Sequence, residues 1–293
     1  MKMKLILGFL SIASLGLSSY AAATANVRMV GGDATPASIT AVRDQFRDDL
    51  GGGTIAGLNG SFGGERREIN WDGVPDAFSA PNNLPANFFN SISPRGAEFS
   101  TPGTGVQVSA NSGIGPVEFD NINPSYSSTF GVFSAQRLFT GVDSNTVDVS
   151  FFLPGTSTPA LVSGFGAVFT DVDLTSSTKI EFFDANNASL GLFAVPIGTV
   201  NSESLSFLGV SFTEGAIISH VQITSGNAAL GAGVNDGSLL GVDNVADLVV
   251  MDDFIYSEPT AIPPIPEPET YAMLLVGLSL IGFMARRRRE TVV

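Results

Sequence analysis

Apolar and polar positions alternate through much of the second half of the chain. Val147, Val149, Phe151 and Leu153 are separated mostly by polar residues, which predicts a strand with one buried face. Further strand candidates follow at 161–170, 178–184, 189–195, 204–213, 217–224 and 248–257. Breaks rich in Asp, Asn, Gly or Pro divide them, as in Asp184-Ala185-Asn186-Asn187. Short strands at regular spacing from about 105 to 257, without interleaved helices, predict a mainly β fold, an antiparallel β-sandwich. One soluble helix is expected, over 35–50. Ile39, Val42, Phe46 and Leu50 share a face, Thr35 can cap, Pro36 sits in the first turn, and Gly51-Gly52-Gly53 ends it. Residues 65–103 hold many Pro, Asn and Gly and read as irregular. Yet Trp71, Phe78, Leu84, Phe88, Phe89 and Phe99 are too apolar for a linker, so this stretch is expected to lie packed on the sandwich.

The two ends follow other rules. Lys2 and Lys4, the apolar run Leu5–Leu17, and the triplets Ala21-Ala22-Ala23 and Ala23-Thr24-Ala25 together read as a secretory signal peptide, placed at 1–25. Near the C-terminus, a proline-rich segment (259–269) precedes an uncharged apolar run, Ala272–Ala285, and then Arg286, Arg287, Arg288 and Arg289. As a helix that run is about 20 Å long, short for a hydrocarbon core of about 30 Å. Tyr271 and the arginines can extend it at the two interfaces, so 270–293 is read as a transmembrane helix with its arginines in the cytoplasm. The intervening chain divides into 26–66, helix and glycine-rich linker, and 67–258, the sandwich.

Pro266-Glu267-Pro268, a short span and a terminal arginine cluster, in that order, resemble the PEP-CTERM sorting signal, a tail also known as the ice-binding protein C-terminal domain. The resemblance covers about residues 264–290. It implies processing near Pro266-Glu267-Pro268 by an exosortase, in a Gram-negative host that makes extracellular polysaccharide. A looser resemblance covers the later half of the body. Gly164-Phe165-Gly166, Phe169-Thr170-Asp171-Val172-Asp173, Ile180-Glu181-Phe182-Phe183-Asp184, Phe207-Leu208-Gly209-Val210 and Met251-Asp252-Asp253-Phe254-Ile255-Tyr256 look like the jelly-roll domains of exported proteins with such tails. The closing pattern is similar to the last strand of galactose-binding-like, lectin-type sandwiches.

Charge changes the picture of the surface. The whole chain carries a formal −14. Without the basic and acidic residues of the two ends, 8 basic and 25 acidic residues remain, about −17. Phosphate binding needs Lys and Arg, so nucleic acid is a poor partner. The chain has no Cys and one His, His220, which excludes a Cys-His pair and makes a zinc site and a Ser-His-Asp triad poor candidates. His220 falls on the polar side of its strand. No P-loop or dinucleotide fingerprint is present. Two carboxylates suffice for a glycosidase, but most acids here sit in turn sequences.

Clustered acids suit calcium better, because it takes six to eight oxygen ligands from loops that can fold around it. Asp171 and Asp173 share a side at a strand end, and Asp236, Asp243, Asp247, Asp252 and Asp253 crowd the approach to the last strand. Asp252 and Asp253 point to opposite faces unless the strand bulges. Asp171, Asp173, Asp252 and Asp253 are therefore the candidate ligands of a structural calcium. Trp71, beside Asp72, has two readings: an anchoring core residue, or a stacking platform for a sugar ring. The expectation is an exported, non-enzymatic surface or matrix protein. Signal peptidase and exosortase are its processing partners, and its tail is held in the membrane until processing. The alternatives are a carbohydrate-binding module for exopolysaccharide and, third, a polysaccharide-active enzyme.

Overall fold

The structure is a computed structural model that describes residues 23–52, 59–61, 63, 65–199, 203–241, 244–262 and 268–290. Most of the expected signal peptide, together with Pro266, Glu267 and Asp243, lies outside the described residues. In chain order the elements are β1 (Ala25–Gly31), α1 (Ala37–Asp49), β2 (Arg66–Ile69), β3 (Ala97–Ser100), β4 (Gly105–Val108), β5 (Phe139–Val142), β6 (Thr146–Phe151), β7 (Ala160–Leu161) and β8 (Gly164–Thr170). They continue with β9 (Lys179–Phe183), β10 (Ser189–Ala194), β11 (Leu205–Phe212), β12 (His220–Thr224), β13 (Leu239–Gly241), β14 (Asn244–Val245), β15 (Val250–Ser257), β16 (Thr260–Ala261) and α2 (Pro268–Glu290).

Two antiparallel sheets face each other. The larger runs β1-β11-β8-β15-β5-β4, with β2 also paired to β15; the smaller runs β10-β9-β12-β6-β3. The predicted alternation explains the smaller sheet. In β6, Val147, Val149 and Phe151 are buried while their neighbours are half-buried, and β9 and β12 repeat the pattern. The inward residues meet Phe165, Ala167 and Phe169 of β8, Leu208 and Val210 of β11, and Met251, Phe254 and Tyr256 of β15 in one core.

The larger sheet is covered on its outer face too, so β8, β11 and β15 are buried along their whole length. Helix α1 supplies that cover with Ile39, Phe46 and Leu50, against Val168, Leu205, Phe207 and Ile255. Glycines allow the close approach. A Cβ on Gly209 would stand 2.6 Å from Phe46 Cγ, and one on Gly166 would stand 2.9 Å from Phe46 Cε1. The helix ends as expected, with Gly51 and Gly52 at positive φ. Its start differs: Thr35 makes no side-chain cap, and instead its own N–H and hydroxyl donate to Asp33 Oδ1.

Two strands that overlap 26–66 join the larger sheet. β1 pairs with β11 over seven residues and forms the edge of the larger sheet, and β2 pairs with β15. The stretch 65–103 is more regular than its Pro and Gly suggested, since it contributes β2 and β3. β2 escapes a hydropathy reading because Arg66, Arg67 and Glu68 are charged and buried. Arg67 is fully buried against Glu258, Nε to Oε2 2.6 Å, and Glu68 pairs with Arg47 of α1 at 2.6 Å and with Arg66 at 2.9 Å. At the C-terminus α2 exposes Met273, Leu274, Leu275 and Val276 among other apolar side chains. Among the described residues, however, no helix is long and apolar enough to cross a membrane.

Candidate functional site

Acidic side chains gather in two places on the larger sheet. The first lies on β15, where the pairing with β8 slips between Met251 and Phe254. Three steps along β15 then match two along β8, from Phe169 to Ala167, so Asp252 and Asp253 together oppose Val168. The bulge frees both carboxylates from the alternation that would have sent one into the core. Asp252 Oδ2 accepts the N–H groups of Phe133 (2.7 Å) and Ser134 (3.1 Å). Ser134 Oγ stands 3.2 Å from Asp252 Oδ1 and 2.9 Å from Asp253 Oδ1. Asp72 extends the network by accepting the N–H groups of Gln136 (2.7 Å) and Arg137 (3.1 Å), and the Arg137 guanidinium reaches Asp76. Burial first, and then the neighbouring Asp253, push the Asp252 carboxyl well above the usual carboxylate range. This cluster fastens residues 133–137 to the sheet, and its oxygens are largely engaged by donors.

The second gathering lies where β8 ends. Asp171 follows the last residue of β8 and adopts a positive φ of 68°. It is 3% exposed, and its carboxylate has no hydrogen-bond partner among the described residues. Burial, then the charges of Asp236, Asp173, Asp247 and Glu203, push its pKa up to about 9. Asp236, on the 230s loop, is pushed up to about 6, chiefly by burial, although it accepts Leu248 N–H at 2.8 Å. Asp247 accepts the N–H of Asp173 (3.0 Å) and the hydroxyl of Ser177, yet burial still raises it. Glu118 borders the group through Glu203 and is pushed up to about 7, again chiefly by burial. Five segments distant in sequence thus build one acidic basin around a carboxylate without a donor. Among the described residues, no three acidic, His or Cys side chains already converge as a metal-ligand set.

The structure therefore divides the four expected calcium ligands. Asp171 and Asp173 lie in the basin, Asp252 and Asp253 in the donor-rich cluster. Sequence reasoning missed Glu118 and Glu203, which carry no local signal, and Ser134. Trp71 is a core residue and no platform for a sugar. It is 1% exposed, its ring stacks on Phe139 at 4.2 Å and 4° between planes, and its Nε1–H donates to the Asp252 carbonyl at 2.9 Å. His220 is half-buried and stacks on Phe183 at 4.6 Å; burial holds it below the ordinary imidazole range. A separate cavity of about 730 Å³ opens beside β10, with Leu161, Leu190 and Ile217 among its apolar walls and Asp184, Asn186 and Glu214 among its polar ones.

A family model described as the PEP-CTERM protein-sorting motif matches residues 264–289, so the chain carries that motif. The stretch includes Pro266, Glu267, Pro268 and Arg286 to Arg289. No curated protein matches the chain. Two solved structures are similar in part. One is TmCBM61 in complex with beta-1,4-galactotriose, with 13% identity, 59% of this chain and 90% of that chain covered, and a TM-score of 0.26. The other is the enzymatically active domain of bacteriophage CBA120 tailspike protein 4, with 13% identity, 63% of this chain and 22% of that chain covered, and a TM-score of 0.26. At those TM-scores neither likeness bears on what this chain binds.

Proposed function

We propose that the chain is an exported surface or extracellular-matrix protein of a Gram-negative bacterium, with a jelly-roll body in an interaction role rather than a catalytic one. The observation that carries this reading is the sorting motif at 264–289. In this reading α2 holds the chain in the inner membrane with Arg286–Arg289 on the cytoplasmic side, until an exosortase cuts near Pro266-Glu267-Pro268. The exposed apolar side chains of α2 support that placement. Cell fractionation tests it. The full chain should stay in the membrane of a host lacking an exosortase and reach the surface or medium of one that has it. A chain ending at residue 262 should leave the membrane in both hosts. Identical fractionation of the two chains in the host that lacks an exosortase would overturn the reading.

The cavity beside β10 favours a second reading, a carbohydrate-binding module for exopolysaccharide. Its polar walls offer acceptors for sugar hydroxyls over an apolar floor. A glycan array in the presence and absence of EDTA tests it, and no bound glycan in either condition removes it. The basin supports a structural calcium as well. Asp171 offers a carboxylate that no donor among the described residues engages, and Asp173, Asp236 and Asp247 would have to turn toward it. Calcium should raise the melting temperature over that in EDTA if the ion binds there.

A further inference from the structure

The start of the described chain holds a contact whose chemistry changes if the leader is removed. The backbone N–H of Thr24 points at the carboxylate of Glu214, 3.0 Å from Oε1 and 3.1 Å from Oε2. Thr24 is also held from its other side, because Thr213 N–H donates to its carbonyl at 3.2 Å. Ala25 then opens β1 in register with Phe212. Glu214 lies just beyond the end of β11, so strand pairing itself places the carboxylate at this nitrogen.

Two alanine triplets fit a signal peptidase, Ala21-Ala22-Ala23 and Ala23-Thr24-Ala25, since the enzyme takes small residues at the first and third positions before the cut. The two cuts have different structural consequences. Cutting after Ala25 removes Thr24 with its bonds to Glu214 and Thr213, and removes the first pair of β1 with β11. Among the described residues, cutting after Ala23 removes one partly buried methyl group and leaves every one of those contacts in place.

We infer that maturation cuts the Ala23–Thr24 bond, and that the Glu214 carboxylate is the receptor for the new α-ammonium of Thr24. The inference rests on the export reading above and assigns its processing site. In the cut, water adds across the amide. Its hydroxyl goes to the Ala23 carbonyl carbon, which leaves as a carboxylate, and the Thr24 nitrogen departs as an amine that is protonated at neutral pH. A neutral N–H already facing two carboxylate oxygens thereby becomes a cation in a two-point ion pair. The carboxylate needs no movement. Its pKa is already held below the ordinary value, first by the Thr24 N–H. The other ionisable group on the walls of the adjoining cavity is Asp184, also an acid, so the surroundings favour the ammonium.

The pair also supplies the Glu214 carboxylate with a cation in a body that has few of them. It gives an exported chain without disulfides a tie on the strand that is made first and lies at the sheet's border.

The test is the N-terminal residue and its amine, read on protein purified from the cell envelope of an exporting Gram-negative host. Mass spectrometry should find Thr24 as the first residue. Reductive methylation across pH should show an amine that titrates above the ordinary α-amino range of about 7.7–8.0. Glu214→Gln should keep the same N-terminus and bring that midpoint down by about half a unit or more. A chain cut after Ala25 overturns the assignment and leaves the export reading intact. An uncut chain starting at Met1 overturns both. A Thr24 amine with the same midpoint in wild type and Glu214→Gln overturns the receptor role while the site of the cut stands.

Discussion

Asp171→Asn should stabilise the protein in EDTA at neutral pH, although it replaces a buried charged residue. The unfolded carboxyl ionises near 3.8, whereas the folded one is pushed up to about 9. Between those values the folded state binds the extra proton, so its stability is fully present below pH 3.8 and falls as pH rises toward 9. At pH 7 the accumulated cost is about 4 kcal/mol, from 3.2 units at about 1.36 kcal/mol each, an upper limit because water penetration and side-chain movement relieve such sites. Asn has the shape of the protonated acid and tolerates the positive φ at this position. The variant therefore escapes the cost. For a body of this size the gain corresponds to a melting temperature higher by up to about 10 °C. Urea unfolding in EDTA at pH 5 and pH 8 measures it. The wild type should lose stability between the two values, and the variant should lose less. With calcium present the order should reverse, because only the wild type offers an ionised ligand. A variant less stable than the wild type at pH 8 in EDTA would show that donors satisfy the Asp171 carboxylate, and the basin would then be an ordinary solvated turn.

Four other substitutions probe the packing. Trp71→Phe keeps the ring stack on Phe139 but leaves the Asp252 carbonyl without its donor, at a cost of about 1–3 kcal/mol in urea unfolding; a folded variant that lost glycan binding would return Trp71 to a ligand site. Phe46→Ala should cost about 3–5 kcal/mol and Gly209→Ala about 1–3 kcal/mol, because the added methyl collides with the Phe46 ring. The double variant should cost less than the two together, since the methyl enters the space the ring has left, and strict additivity would mean that α1 does not dock by this contact. Glu258→Gln removes a charge partner of the fully buried Arg67 and should cost about 3–5 kcal/mol, whereas a loss under 1 kcal/mol would mean that water or another partner satisfies the guanidinium.

The strands between 146 and 257 were legible for two reasons: β6, β9 and β12 have one face in the core, which writes a period of two into the sequence, and β8, β11 and β15, buried on both faces, are short apolar-rich runs bounded by turn residues. β1 and β2 were not. In sequence β1 follows directly on the apolar stretch read as a leader, and its apolar residues Val27 and Met29 are only partly buried or exposed at the sheet edge. β2 buries Arg66, Arg67 and Glu68, and what makes that tolerable is their ion pairs with Arg47 and Glu258, whose partners lie 21 and 191 residues away. The acidic sites were legible as residues and not as sets. Nothing local links Asp171 to Asp236 or Glu203, which meet only when separate loops fold over the end of β8. Likewise the bulge that turns Asp252 and Asp253 to one side depends on the pairing of β15 with β8, a long-range contact with no mark in the sequence.

The order of the strands bears on how the tail can work. β15, the last long strand, is central rather than peripheral: it pairs with β8, β5 and β2. The larger sheet cannot close until Ser257 is available, so an exported chain completes its body only when nearly all of it has crossed the membrane. Helix α2 begins eleven residues later, at Pro268, and eleven extended residues reach at most about 40 Å. That is enough for the body to fold while the tail is still held, but little more, so the folded body would stand close to the membrane where a sorting enzyme works. The last paired residue, Ala261, precedes the Pro266-Glu267-Pro268 motif, so a cut there breaks no strand. Together with a cut after Ala23, it would free a body whose first and last long strands lie in one sheet.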